Sequence, residues 1–228
     1  MTKLGLPDGI RACLFDMDGV LTQTATVHAR AWKQTFDEFK IPFQLPEDYA
    51  GYVDGKPRVD GVRSVLEARG VAEDPQLVER IAERKDDLFL QLIHRNGVET
   101  YAGSIRYLEA ARAAGLKLAV VSSSKNTTEV LRAAHIDHLF DAQVDGNVAE
   151  QDHLKGKPAP DTYLRAATML DASAGQSAVY EDALAGVEAG RAGRFGLVVG
   201  VDRANHADAL RKHGADVVVR DLGELMAA

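Results

Sequence analysis

The sequence predicts an α/β protein: a parallel sheet covered by helices on both faces, interrupted after its first strand by an inserted helical cap. Three observations predict it. An apolar run opens the chain, further short apolar runs alternate with helix-like stretches in its second half, and the region from about 23 to 97 has apolar residues at helical spacing without a comparable strand. A length of 228 residues with 46% hydrophobic content is enough to bury a sizeable core.

The first strand is "RACLFD" (11–16), a continuous apolar run of the kind a strand buried on both faces shows. In the cap, Val27, Ala31, Phe36 and Phe39 follow one helical face, and Leu77, Ile81, Leu88 and Leu92 follow another. Glycine- and proline-bearing stretches at 51–57 and 70–75 separate the cap helices. After the cap, "SIRYLEAARAAG" reads as a helix ended by Gly115, with the strand "LKLAVVSS" (116–123) directly behind it. The helix "DTYLRAATML" (161–170) opens after Pro160 and leads to the strand "SAVYED" (177–182). "GVEAGRAG" (186–193) leads to "FGLVVGV" (195–201), and "ADVVVRDL" (215–222) supplies a fifth strand. The expected division is a core of 1–22 with 98–228 and a cap of 23–97.

A formal net charge of −7 argues against a nucleic-acid-binding surface and leaves room for a local basic pocket. The single cysteine, Cys13, falls inside the first apolar run, where it reads as a core residue in a reducing compartment. With no apolar run of about 18 residues and no apolar signal segment at "MTKLGLPDG", the expectation is a cytoplasmic, soluble protein with no membrane or nucleic-acid partner, and a monomer because a cap of this kind must move freely relative to its core.

The chemistry is concentrated where strands end. Alternation in a strand would send Asp16 and Asp18 to one side and Met17 to the other, at the carboxyl end where open α/β sheets bind ligands. The second strand ends at Ser122, the third at Glu181 and Asp182, and the segment between them carries Lys157 in "KGKPAPD". Each alone has an ordinary explanation as a turn residue, a helix cap or a solvated lysine. Together, Asp16, Asp18, Glu181 and Asp182 would repel one another unless a cation joined them, and an all-oxygen set selects a hard ion such as Mg2+. Beside Mg2+ and the Lys157 ammonium, one aspartate can attack an anionic phosphoryl group while the other moves protons as acid and base.

These segments resemble the haloacid dehalogenase superfamily of phosphotransferases: "DMDGV" matches its first motif, Ser122 its second, Lys157 in "GKPAP" its third and "EDALAG" its fourth. The resemblance implies a Rossmann-like core with a helical C1 cap. It also implies Asp16 as nucleophile, Asp18 as general acid/base, and Ser122 and Lys157 as orienting and charge-balancing groups. Mg2+ would be held by Asp16, Asp182, the backbone carbonyl of Asp18 and Glu181. Phosphoryl-transfer members keep the second aspartate, whereas the dehalogenases do not.

Within the superfamily the sequence is most similar to the β-phosphoglucomutase branch, through "FDMDGVLTQTATVHARAW", "DGKPR" and "SSSKN". Gln23 stands where the branch often has aspartate before the hinge Thr24, and the residues after Arg58 differ from those of other members. That likeness implies substrate-binding roles for Thr24, His28, Trp32, Gly55, Arg58, Ser123, Ser124, Lys125 and Asn126. Lys85 joins them because it falls on the apolar stripe of Ile81, Leu88 and Leu92, where snorkelling at the stripe's edge is its ordinary alternative. A mutase needs a second phosphate site, and Arg58, Lys85, Lys125 and Asn126 offer one, aided by loop amides ahead of a helix. The expected activity interconverts β-D-glucose 1-phosphate and D-glucose 6-phosphate through an aspartyl-phosphate and β-glucose 1,6-bisphosphate, so the partners are a sugar phosphate and a sugar bisphosphate. A small sugar-phosphate phosphatase is the alternative, and a non-catalytic binding module of the same fold is a distant third.

Overall fold

The computed structural model describes residues 4–226. The chain divides into two compact units, Met1–Gln23 with Glu99–Ala228, and Thr24–Val98. The first is a six-stranded parallel sheet of β1 (Ala12–Phe15), β2 (Lys117–Val121), β3 (Ala142–Val144), β4 (Ser177–Glu181), β5 (Leu197–Val201) and β6 (Val217–Val219). Their order is β3-β2-β1-β4-β5-β6, which is the Rossmann-like arrangement. Strands β1, β4 and β5 are buried along their whole length, which is why they read as unbroken apolar runs. Strand β3 escapes a sequence reading because it is a half-buried edge segment, Ala-Gln-Val, with neither an apolar run nor clear alternation.

The second unit holds α1 (Ala25–Glu38), α2 (Arg58–Ala68) and α3 (Pro75–Asn96); the sheet unit carries α4 (Ala102–Ala113), α5 (Thr127–Ala133), α6 (Gly146–Gln151), α7 (Asp161–Met169), α8 (Leu184–Ala192) and α9 (Ala207–His213). Helix α3 starts where Asp74 accepts a hydrogen bond from the Gln76 amide, with Pro75 in the first turn, and stops at Gly97 with φ 73°. Its neighbours pack through a stack of rings, Trp32 on Phe36 at 5.4 Å and Phe36 on Phe43 at 4.9 Å, closed by Val62, Leu66, Val78 and Ile81. The separating stretch after α1 begins as one helical turn, Tyr49–Val53. Among the described residues no helix is long and apolar enough to cross a membrane.

The sheet's two faces are filled differently. Ala12, Leu14, Val121, Val179 and Val198 pack with Tyr163 of α7 and Val187 of α8. On the other face Phe15 and Tyr180, register partners in adjacent strands, stack at 4.4 Å. The Tyr180 hydroxyl lies 2.8 Å from that of Tyr107, which donates to the Leu4 carbonyl at 2.8 Å. Tyr107 has one proton and spends it on Leu4, so Tyr180 donates to Tyr107 and the Cys13 thiol, 3.5 Å away, donates to Tyr180. Burial pushes the Cys13 thiol up to about 12, and only thiolate reacts with electrophiles. The folded protein is therefore expected to be inert to an aromatic disulfide reagent at pH 8, with one thiol released on unfolding in guanidinium chloride. Absorbance of the liberated chromophore checks this.

Candidate active site

In this strand order the chain direction of sheet growth reverses between β1 and β4, so a crevice opens at their carboxyl ends. Register then decides which side chains meet. Leu14 pairs with Val179 and Phe15 with Tyr180, which brings the next residues, Asp16 and Glu181, side by side on the Leu14 face. The Asp16 amide continues the ladder by donating to the Tyr180 carbonyl at 2.9 Å. From the loop before α7, Lys157 sends its ammonium to Asp16 Oδ1 at 2.5 Å, pairs with Glu181 Oε1, and lies 5.1 Å from the centre of the Tyr163 ring. The lysine side chain is 4% exposed, so this is a buried ion cluster.

One ammonium cannot balance the carboxylates around it. Burial pushes Asp16 well above the usual carboxylate range; Lys157 works against that rise, and the charges of Glu181 and Asp18 add to it. Burial also opposes the charge on Lys157, but Asp16 and Glu181 outweigh it and hold the lysine well above its ordinary value. Asp16, Glu181 and Asp182 each offer an oxygen, all within 4.8 Å of one another. An all-oxygen set, buried at Asp16 and Glu181 and half-buried at Asp182, with excess negative charge fits a hard divalent cation.

Both acidic motifs depend on a missing side chain. A Cβ on Gly186 would lie 1.7 Å from Glu181 Oε1, and one on Gly19 would lie 1.8 Å from Asp182 Oδ2. Glu181 is further fixed by the Tyr163 hydroxyl, which donates to it at 3.0 Å, and by the Ala183 amide at 3.0 Å.

The alternation expected for Asp16 and Asp18 does not hold, because β1 ends at Phe15. Residues 17–22 instead form a closed turn in which the Leu21 and Thr22 amides both donate to the Met17 carbonyl at 3.0 Å and the Gly19 amide donates to the Thr22 carbonyl at 2.9 Å. Gly19 has φ 84°, which a glycine adopts without strain. Asp18 is half-buried, and its carboxylate does not join the set that could close on one ion.

Ser122 is buried at the end of β2, its amide donating to the Val144 carbonyl. The following loop differs from the expected anion cradle: the Ser124 amide donates to the Ser122 hydroxyl and the Asn126 amide to the Ser124 hydroxyl, both at 3.1 Å. The carbonyl of Ser123 packs against Gly146, and Lys125 pairs with Glu150 at 2.6 Å on the surface.

In the helical unit, Lys85 is buried rather than at the edge of its stripe. Its ammonium lies 4.7 and 5.3 Å from the Phe89 and Trp32 ring centres and 2.7 Å from His28 Nδ1. An ammonium only donates, so Nδ1 accepts and the imidazole carries its proton on Nε2. His28 stacks on Phe89 at 4.1 Å, and Trp32 is packed into this unit's core. Thr24 is buried at the start of α1. Gly55 has φ 68° in the loop leading to Arg58, which pairs with Asp86 of α3.

A family model described as haloacid dehalogenase-like hydrolase matches residues 10–194. The chain belongs to this family. It is 48% identical to a β-phosphoglucomutase of Mycobacterium bovis over 98% of this chain and 94% of the relative, and 34% identical to one of Bacillus subtilis over 95% and 92%. A solved β-phosphoglucomutase structure from Clostridium difficile, 27% identical, superposes with a TM-score of 0.83 over 95% of this chain and 93% of that one.

Seen as a haloacid dehalogenase-like site, the crevice includes groups that motif reading passed over. Tyr163 looks like one more apolar member of "DTYLRAATML"; its signal was the hydroxyl, which must find a partner when buried. The motif glycines, Gly19 and Gly186, are as particular as the acids they touch. Gly186→Ala is expected to push the Glu181 carboxylate off Tyr163 and Lys157, destabilising the fold by about 1–3 kcal/mol through overpacking and lowering affinity for divalent cations. Urea unfolding and a cation titration of the folded variant check the two effects separately.

Proposed function

We propose that this chain is a Mg2+-dependent β-phosphoglucomutase, interconverting β-D-glucose 1-phosphate and D-glucose 6-phosphate as a cytoplasmic monomer. The near-full-length likeness to the β-phosphoglucomutase of Mycobacterium bovis carries that reading. Mg2+, held by Asp16, Asp182, the Asp18 carbonyl and Glu181, supplies the neutralisation that lets a phosphoryl group approach carboxylates.

The cycle starts from Asp16 carrying a phosphoryl group. Asp18 takes the proton of the sugar's C6 hydroxyl as that oxygen attacks phosphorus, the bond to the Asp16 oxygen breaks, and β-glucose 1,6-bisphosphate forms. The bisphosphate then presents its other end. Asp16 attacks the 1-phosphate, Asp18 returns its proton to the departing anomeric oxygen, glucose 6-phosphate is released and the aspartyl-phosphate is restored. Proton and phosphoryl group both balance over the cycle. Lys157 keeps its charge throughout and offsets that of Asp16 and the transferring group, while Ser122 orients that group.

Arg58, Lys85, Lys125 and Asn126 are assigned to the phosphate that is not being transferred, and Thr24, His28, Trp32, Gly55, Ser123 and Ser124 to the sugar and the hinge. The pair Lys125–Glu150 is solvent-exposed, so it holds its cation weakly and yields it to a doubly charged phosphate; Arg58 is half-buried in its pair with Asp86 and would have to exchange that partner for the phosphate. Water in place of the C6 hydroxyl would make a phosphatase, a reading less supported by the relatives.

Incubation with β-glucose 1-phosphate, Mg2+ and a trace of the bisphosphate is expected to yield glucose 6-phosphate far faster than inorganic phosphate; release of phosphate alone would make the enzyme a phosphatase. Asp16→Asn should abolish phosphoenzyme formation, read by mass spectrometry, without unfolding the chain. Arg58→Ala should lower the sugar-dependent step about 30- to 1000-fold and leave phosphorylation of Asp16 by a small phosphodonor nearly unchanged, because such a donor has no second phosphate. Equal losses with both donors would move Arg58 to the transfer site.

A further inference from the structure

The loop after β5, residues 202–206, reaches both acidic motifs without contributing a carboxylate to the cluster. Arg203 Nε donates to the Gly19 carbonyl at 2.7 Å, and its Nη1 donates to the Arg220 carbonyl at 2.6 Å, just beyond β6. The guanidinium carbon sits 3.4 Å from the centre of the Tyr101 ring, so the plane of the fork is fixed as well as its direction. Three residues on, His206 Nε2 lies 3.3 Å from the Asp182 carbonyl, and the His206 amide donates to Asp202 Oδ1 at 2.8 Å. One loop thus holds the backbone of the residue after Asp18 and the backbone of Asp182.

The two motifs also meet directly, because the Cα of Gly19 is the wall against which the Asp182 carboxylate rests. The turn's own hydrogen bonds hold the Gly19 amide and the Met17 and Thr22 carbonyls, and Arg203 is the group that fixes the direction of the Gly19 carbonyl. Arg203 supplies that restraint at some expense, since its Nη2 is buried and, among the described residues, has no hydrogen-bond partner. An uncharged or shorter side chain would avoid that loss but could not hold two carbonyls in fixed directions.

We propose that Arg203 is a positioning residue for the reaction centre, fixing the Asp18–Gly19 turn and through it the seat of the Asp182 carboxylate. The inference rests on reading Asp16, Glu181 and Asp182 as the cation site. Charge and position here have opposite signs. A cationic guanidinium near a cation site weakens metal binding, so if Arg203 mattered as a charge alone its removal would tighten Mg2+. If it positions the carboxylates, its removal loosens Mg2+.

The test is a calorimetric Mg2+ titration of the full chain as wild type, Arg203→Gln and Arg203→Lys, together with kcat and the KM for β-glucose 1-phosphate. Arg203→Gln is expected to weaken Mg2+ about tenfold and lower kcat by a similar factor, with the sugar KM unchanged. Arg203→Lys, which keeps the charge and can reach one carbonyl, should recover part of both losses. Mg2+ binding by the folded Gln variant that equals or exceeds wild type, with a lowered melting temperature as the sole change, would overturn the proposal. If the Gln variant does not melt cooperatively, the Lys variant decides: unchanged Mg2+ affinity and kcat overturn the proposal, and a loss in both supports it. Failure of the wild type itself to bind Mg2+ would instead remove the cation-site reading and the inference with it.

Discussion

The buried ammonium of Lys157, held between Asp16 and Glu181, is the interaction on which the sheet unit's other features converge. Taking three charged groups out of water costs more than their mutual attraction returns unless the remaining hydrogen-bonding capacity is also met. The fold meets it piece by piece. Parallel register sets Asp16 beside Glu181, Tyr163 and the Ala183 amide complete the glutamate, and the Val121 carbonyl lies 3.4 Å from the ammonium. Two glycines leave the space in which the acids sit. Such a cluster is poor value as a stabiliser, since well-packed apolar residues would serve stability as well. Its retention in a buried crevice is better explained by chemistry.

The chemistry follows from the imbalance. Burial and like charges push Asp16 above the usual carboxylate range, and a single ammonium works against that rise. A second cation held by Asp16, Glu181 and Asp182 would favour the ionised carboxylate and would screen it from an approaching phosphoryl anion. The proposed metal and the proposed nucleophile therefore stand together: a divalent ion would offset the buried acidic charge that otherwise opposes an approaching phosphoryl anion. The exposed pair at Lys125 follows the opposite logic, since solvent keeps it weak and so exchangeable for a ligand.

What the sequence makes legible is what local pattern encodes. Strands buried on both faces announce themselves as apolar runs, and groups at their carboxyl ends can be listed before the strand order is known. Strand β3 is silent because an edge segment of three residues needs no apolar run. Tyr163 and Arg203 are silent for another reason: their significance lies in partners 18 and 184 residues away, brought close by register and crossover. Lys85 sits between these cases. Its place on an apolar stripe marks it as unusual, but the rings and imidazole that surround its charge come from residues that pattern alone treats as ordinary packing.

The failure of alternation past Phe15 is the most informative of these differences. Had the strand continued, Asp18 would have joined Asp16, Glu181 and Asp182, and four carboxylates would have competed for the same cations. The closed turn of residues 17–22 takes Asp18 out of that set and leaves it half-buried, while Asp16 stays inside under the ammonium. Two aspartates one residue apart thus meet different environments, and environment is what separates acid from nucleophile. A carboxylate beside a lysine ammonium, with a divalent cation bound, would be favoured in the ionised form that the proposed attack requires. One set apart from them is the member proposed to move the proton. In the proposed reaction the first sequence motif works as a pair because the backbone between its members turns, and Gly19 is where that turn becomes possible.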